Sequence, residues 1–386
     1  MIALEPSASQ EALAAIRAPF LTREASPIDV PVMQPLSLLL DLSGEAMRSR
    51  LFVVQADGID EACLRPDFTI PVALAHMASG AGSAAYCYEG KAFVVAPPGS
   101  GRAEEFLQIG LEVLGEDAAK SKDAELLVLA WHAAKAGGRQ DLWIELGDVS
   151  LFSAFVDALG LAPLLAARLK RAFQRPRSLK AELEHAQSPA SSTREGEDLV
   201  AQLIELPEPQ AVAALEDIWA ADGVEPVGGR TAAEIVHRLA ARALDRAAPR
   251  LNDVQSDLIN RFLSIADVPT TALAQIEALA ETVNADLTRQ MADWRERLAV
   301  LHAAGIQDSA MRLSPAFGRA FGYYDGFLFE VRSAALGPNE PVAAGGRYDS
   351  LLERMKVRTG AKAKGRGKGA AGCMVRPWRA WAGGQS

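Results

Sequence analysis

Two stretches in the last quarter of the chain carry residue types suited to a small charged ligand. Gly318–Val331 reads Gly-Arg-Ala-Phe-Gly-Tyr-Tyr-Asp-Gly-Phe-Leu-Phe-Glu-Val, and Ala344–Asp349 reads Ala-Gly-Gly-Arg-Tyr-Asp. Arg319 and Arg347 supply cations, and Tyr323 and Tyr324 supply walls. Gly322 and Gly326 bracket the tyrosines and let backbone approach a ligand closely. Together they suit a pocket for a small zwitterion. A buried hairpin with ordinary arginines at its rim would read the same way, and residue chemistry alone leaves both open.

The surrounding sequence predicts what must hold these residues. Phe327-Leu328-Phe329 with Val331 predicts a short buried strand. Phe106–Glu112 alternates large apolar with other residues at period two and predicts another. Ala85–Tyr88 and Ala92–Val95 read as strand, separated from it by a Pro-Pro-Gly-Ser-Gly loop at 97–101. Cys63–Thr69 leads into a helix over Ile70–Met77, with Thr69 or Asp67 as its cap and Pro71 near its first turn. Ser9–Phe20 reads as an amphipathic helix, and Asp349 as the cap of a short helix over Leu351–Met355. Between Leu164 and Leu301 the composition is rich in alanine, leucine, arginine and glutamate, with almost no strand signal. The last helix of that region repeats Ile276, Leu279, Val283, Leu287, Met291, Trp294, Leu298 and Leu301 every three or four residues, a stripe for core or partner packing. Lys356–Gly369 scatters six basic residues among glycine and alanine. It lacks the Gly-Lys-Ser/Thr of a phosphate loop; a solvated loop and a contact for a polyanion or acidic partner are the two readings.

Composition narrows the classes. The 386 residues suggest two or three domains. With 49% hydrophobic and 23% charged residues the chain has an ordinary globular balance. A net charge of -9 argues against a nucleic-acid partner. Cys63, Cys87 and Cys373 are too widely spaced for a disulfide framework or a zinc site and fit a reducing, cytoplasmic setting. No signal-peptide pattern and no membrane-spanning run is visible.

Arg319–Glu330 resembles the first histidine-specific motif of histidyl-tRNA synthetases, Arg-Gly-Leu-Asp-Tyr-Tyr-x-x-x-x-Phe-Glu. Ala344–Asp349 is similar to the second, Ala-Gly-Gly-Arg-Tyr-Asp. Leu64–Thr69 resembles the family's Leu-Arg-Pro-Glu-Gly-Thr, with Asp67 for the glutamate and Phe68 for the glycine. Phe106–Glu112 resembles Phe-x-Gln-x-Gly-x-Glu, and Pro31 matches the proline of motif 1 at the dimer interface. The resemblance implies an α+β fold: a class II aminoacyl-tRNA synthetase-like catalytic core, an antiparallel sheet flanked by helices. Residues 1–165 would form its first part, 166–300 a helical insertion, and 301–386 the remainder with a degenerate motif 3. It also implies a histidine site. Asp67 and Glu112 with Gln108 would hold the ammonium, Thr69 would assist, and Arg319 would hold the carboxylate. Tyr323 and Tyr324 would shape the imidazole pocket, and Arg347 would complete the set.

The departures fall on the ATP side. Val94 stands where motif 2 carries an arginine that grips the α-phosphate, a position at which developing charge requires a fixed cation. Glu104 stands at a second arginine position, although Arg102 nearby is retained. In motif 3, Arg376 replaces a glycine and Trp378 a glutamate, while Arg379 matches the ATP-binding arginine. The anticodon-binding domain of a complete synthetase is expected to be absent. This pattern resembles the regulatory subunits of ATP phosphoribosyltransferase. Their likeness implies a short-form catalytic subunit as partner, L-histidine as effector, and a homodimer within a hetero-octamer. It implies no catalytic residues, cofactor or metal in this chain. The alternative is a histidyl-tRNA synthetase core that still activates histidine with ATP; a tRNA-binding module is a third.

Overall fold

The protein is described by a computed structural model covering residues 3–21, 25–55, 57–58, 60–115, 121–173, 176–187, 203, 206–222, 231–247, 250–318, 322–359 and 369–384. Ser9 caps α1 (Gln10–Arg17), its Oγ accepting from Ala12 N at 3.2 Å. The chain then tightens into a 3-10 turn through Leu21, so the α-helix is shorter than the periodicity predicts. β1 (Ser26–Pro27) is an edge strand, where a proline costs no ladder bond. β2 (Met33–Pro35), α2 (Leu36–Ser43), β3 (Val53–Val54) and β4 (Ala62–Leu64) follow, and the three strands pair as β2-β4-β3. In α3 (Thr69–Ser79) neither Asp67 nor Thr69 caps the helix. Phe68 holds the N-cap position without a side-chain bond, because both polar side chains bond elsewhere, as described below.

β5 (Ala84–Phe93) and β6 (Glu105–Leu114) form a long antiparallel hairpin, continuous through Gly90. α4 (Lys122–Ala136), β7 (Leu142–Asp148) and α5 (Val149–Ala158) complete the first half. α6 (Pro163–Ala172), α7 (Pro176–Gln187), α8 (Glu208–Asp222) and α9 (Ala232–Ala247) follow. α10 (Asp253–Ser264), α11 (Pro269–Glu281) and α12 (Thr288–Ala303) lead back to β8 (Met311–Leu313), β9 (Phe327–Ser333) and β10 (Ala343–Arg347). α13 (Asp349–Thr359), β11 (Ala370–Val375) and the short α14 (Pro377–Ala380) end the described chain.

The chain separates into two compact units. The first holds Met1–Leu159, Phe173–Pro176 and Ile259–Ser386; the second holds Gly160–Ala172 and Arg177–Leu258. The first unit contains an eight-stranded sheet among the described residues, ordered β1-β5-β6-β11-β10-β9-β7-β8. Its interior pairs are antiparallel, and only the edge strands β1 and β8 pair in parallel. Phe327, Leu328, Phe329 and Val331 of β9 are fully buried. Each such side chain contributes about 1.5–3 kcal/mol. α4 lies against β9, β10 and β11, and α12 lies against α4.

The expected insertion boundary at residue 300 is too late. α11 and α12 belong to the first unit, because their apolar stripe is core: Trp294 and Leu301 are fully buried. The polar members of α12 are anchored there too. Trp294 Nε1 donates to Asp148 Oδ2 at 3.1 Å, and Arg297 Nη2 meets Asp123 of α4 at 2.9 Å. In the second unit, Leu203, Ala211, Leu215, Ala232 and Val236 form a separate apolar cluster. There Thr231 and Glu234 exchange a reciprocal capping box at the start of α9. No helix among the described residues is long and apolar enough to cross a membrane.

Candidate functional site

Six of the eight expected site residues line one cavity at the face of the large sheet. Asp67, Thr69, Gln108, Glu112, Tyr323 and Tyr324 meet there with Tyr88, Gly372 and Met374. Strand parity explains the gathering. Side chains two apart on a strand share a face, so Gln108 and Glu112 project from β6 on one side. Gly110 lies between them, opposite Tyr88 in register. A Cβ at 110 would overlap the Tyr88 ring, and a Cβ at Gly372 would overlap Glu112 Oε2. Gly372 is the register partner of Glu112 on β11. Both glycines are therefore space-makers for the polar side chains between them.

The cavity's titratable groups are acids, and among the described residues hydroxyls donate to them. Thr69 Oγ1 donates to Glu112 Oε1 at 2.9 Å, Tyr88 OH to the same oxygen at 3.4 Å, and Tyr348 OH to Oε2. Tyr323 OH donates to Asp67 Oδ2 at 2.9 Å. Burial pushes the Glu112 carboxyl up to about 8 against the pull of the Tyr348 and Thr69 hydroxyls, and Asp67 adds to the rise. Gln108 is 4% exposed, and its Oε1 has no hydrogen-bond partner among the described residues. A buried acceptor left open in this way is one that a ligand's N–H can satisfy. The cavity volume is about 30 Å³, room for roughly two waters. An amino acid would have to displace a wall.

Phe68, which stands at the family's glycine, stacks on Tyr88 with ring centroids 4.2 Å apart, and the Arg65 guanidinium covers its other face at 4.1 Å. Arg65 in turn donates to Lys91 O and Val30 O at 2.8 and 2.5 Å. The Leu-Arg-Pro segment thus clamps the cavity's outer wall through its arginine.

Arg319 lies outside the described residues. Arg347 does not line the cavity. Its Nη2 lies 2.6 Å from Asp123 Oδ1 and its Nη1 2.9 Å from Asp349 Oδ1. β10 puts Ala344 in the cavity wall; the same parity assigns Tyr348 to that side and Arg347 to the opposite one. Asp349 does not cap α13 with its side chain, because its carboxylate serves Arg347 and Ala370 N. Asp325 takes the capping role, accepting from the amides of Asp349 and Ser350 at 3.0 and 2.6 Å. Tyr88, Tyr348 and Gly372 were missed by sequence reasoning. Tyr348 sits inside a motif already singled out, and its alternation with Arg347 was the available signal.

Gln108 and Met374 also border a larger groove of about 1040 Å³. Val94 and Phe106 line it, as do Arg102, Arg332, Arg376 and Arg379. Most of these cations are already spent. Arg376 pairs with Glu5 and lies 3.6 Å from the Phe106 ring centroid. Arg379 Nη2 is 3.4 Å from Glu340, and Arg332 bridges Glu145 and Glu330 at 2.8 and 2.7 Å. Glu104 turns its carboxylate to the backbone amides of Ala96 and Ala3.

The family model described as Histidyl-tRNA synthetase matches residues 26–214 and 204–367. An ATP phosphoribosyltransferase regulatory subunit from Rhizobium johnstonii is 36% identical over 340 residues, covering 87% of this chain and 89% of the relative. The chain belongs to the ATP phosphoribosyltransferase regulatory subunit family, within the histidyl-tRNA synthetase-like proteins. The regulatory subunit from Brucella anthropi is 32% identical over 90% of this chain and 92% of its own length. Among solved structures, an ATP phosphoribosyltransferase regulatory subunit/histidyl-tRNA synthetase from Bacillus halodurans superposes with a TM-score of 0.63 at 19% identity, over 95% of this chain and 76% of that one. The histidyl-tRNA synthetase of Nostoc sp. PCC 7120 gives 0.58 at 15%, over 95% and 69%. These two likenesses show the class II synthetase-like fold of the regulatory subunit family.

Proposed function

We propose that this chain is a non-catalytic subunit that partners with a short-form catalytic subunit of ATP phosphoribosyltransferase and makes it sensitive to L-histidine. The catalytic subunit joins ATP to phosphoribosyl pyrophosphate, and both substrates and magnesium belong to it. The reading rests on one contrast. The cavity keeps a set of acceptors fit for an ammonium and an imidazole N–H. The adjoining groove has valine at a phosphate-gripping position, and its Arg332, Arg376 and Arg379 are paired within the chain. Asp67, Glu112 and Gln108 hold the ligand's cationic end, Thr69 fixes Glu112, and Tyr323 with Tyr324 bounds the ring. Arg319 takes the carboxylate, the role its motif implies, and Arg319→Ala weakens histidine inhibition. The chain works as a homodimer within a hetero-octamer in the cytoplasm. Feedback requires that histidine bind the inhibited arrangement more tightly than the active one, a coupling of ~1–3 kcal/mol in typical allosteric proteins.

Calorimetric titration of L-histidine into the chain alone, then into the chain with its catalytic partner, tests this. Saturable binding to the chain alone is expected. Histidine-dependent pyrophosphate–ATP exchange by the purified chain would overturn the non-catalytic assignment.

A further inference from the structure

Glu112 is 2% exposed, and the partners that hold it are neutral hydroxyls on three elements: Thr69 at the start of α3, Tyr88 on β5 and Tyr348 after β10. Among the described residues, the other groups around it supply no compensating cation. Asp67, before α3, is a second carboxylate. Tyr86 is the register partner of Glu112 on β5 and turns its hydroxyl to His76 Nδ1 at 3.2 Å. Burial pushes the His76 imidazole down, and Lys356 of α13 adds to that. On β11 the Cys373 thiol follows Gly372, and burial holds it protonated. Tyr323 and Tyr324 close the remaining side. Among the described residues, no guanidinium or ammonium is paired with Glu112.

We propose that an amino acid entering this cavity cation-first expels the proton of Glu112, so that ligand binding and proton release are one event. The inference rests on the assignment of the cavity as the histidine site. In the empty cavity Glu112 is a neutral acid. An incoming ammonium or imidazole N–H needs an acceptor with charge, and the Glu112 O–H bond breaks as the cation arrives. The proton passes to a solvent base such as the buffer, and total charge is conserved. Thr69, Tyr88 and Tyr348 are already oriented as donors toward the carboxylate that results.

Supporting this, burial, with Asp67 adding to it, pushes the Glu112 carboxyl up to about 8 and keeps it protonated at neutral pH. The sign follows directly. Below about pH 8 the empty site must lose a proton to bind, so affinity rises with pH and levels off above that value. If only the ionised form binds, affinity at pH 8 exceeds that at pH 7 by about fivefold.

Titration of L-histidine into the full chain at pH 7.5, in three buffers of different ionisation enthalpy, reads the proton count. At that pH the free imidazole, with an ordinary value near ~6.5, is mostly neutral. Release of about 0.8 proton per site is expected. Glu112→Gln should bind more weakly and release none. Tyr348→Phe removes one donor to the charged form and should move the pH midpoint of affinity upward. Saturable binding with no proton release overturns the proposal and leaves the histidine site standing. Absence of binding, alone and with the catalytic subunit, overturns both. If Glu112→Gln fails to bind or fold, the Tyr348→Phe midpoint decides: an unmoved midpoint refutes the coupling.

Discussion

The cavity and the groove share Gln108 and Met374 as a common wall, yet they handle charge in opposite ways. In the cavity, carboxylates face hydroxyls and an open amide oxygen. In the groove, arginines face carboxylates of the same chain. A cavity with acceptors and, among the described residues, no lining cation remains receptive to a ligand that brings its own. A groove most of whose cations are neutralised internally offers little to a polyphosphate. The same fold can thus keep the recognition half of an adenylating site while losing the half that stabilises a charged transition state.

The comparison depends on the cavity floor staying rigid, and the largest expected loss from a substitution lies there. Asp123 is fully buried and holds both Arg297 and Arg347. Asp123→Ala leaves two buried guanidinium groups short of a counter-charge, a lesion worth about 3–5 kcal/mol. Urea unfolding should show that loss. A drop below about 1 kcal/mol would mean that packing and the Arg347–Asp349 pair hold β10 without Asp123.

The second effect concerns pH. A carboxyl whose folded value is raised to about 8 from an ordinary 4.5 binds a proton in the folded state that the unfolded chain has released. Stability from this group is therefore full below about pH 4.5 and declines as pH rises toward 8. The decline should be on the order of 4–5 kcal/mol. Glu112→Gln should flatten that part of the profile, measured as thermal midpoints from pH 5 to 9. An unchanged slope would place the cavity's charge elsewhere.

How much of this was legible follows from periodicity and distance along the chain. β6 announces its cavity face by alternation, so Gln108 and Glu112 are readable from local sequence. The buried run of β9 is readable for the same reason. Asp123 and Arg347 are 224 positions apart, and nothing local in either stretch records the ion pair. Assigning Arg347 to the ligand therefore took a conspicuous arginine for an available one. Gly372 is another case: its role exists only through its register with Glu112 across β6 and β11. The end of the helical insertion was misjudged because an amphipathic stripe states that a face is buried without stating against what.

The third effect sharpens the cavity side. Tyr323→Phe removes the hydroxyl that donates to Asp67 at 2.9 Å. A hydrogen bond to a carboxylate is worth about 1.5–3 kcal/mol; this one is made before ligand arrives, so its loss should lower stability by that amount and, by leaving Asp67 without this orienting donor, lower histidine affinity as well. A fall in stability with affinity unchanged would make the Tyr323–Asp67 pair a structural strut.

The smallest effect is the one that tests the division itself. Arg102 lines the groove, and its side chain makes no hydrogen bond or ion pair with a described residue. It is the groove cation best placed to meet a ligand, and it sits beside Gly101 in the loop between β5 and β6. If groove and cavity are separate, Arg102→Ala should leave histidine affinity within about fivefold, since a charge acting across solvent contributes only ~0–1 kcal/mol. Titration at low and at high salt should give the same answer. A tenfold loss that disappears in high salt would show that the ligand's carboxylate feels this cation. The wall formed by Gln108 and Met374 would then be a seam within one site, and the groove's surviving arginine would have to be counted among the groups that read histidine.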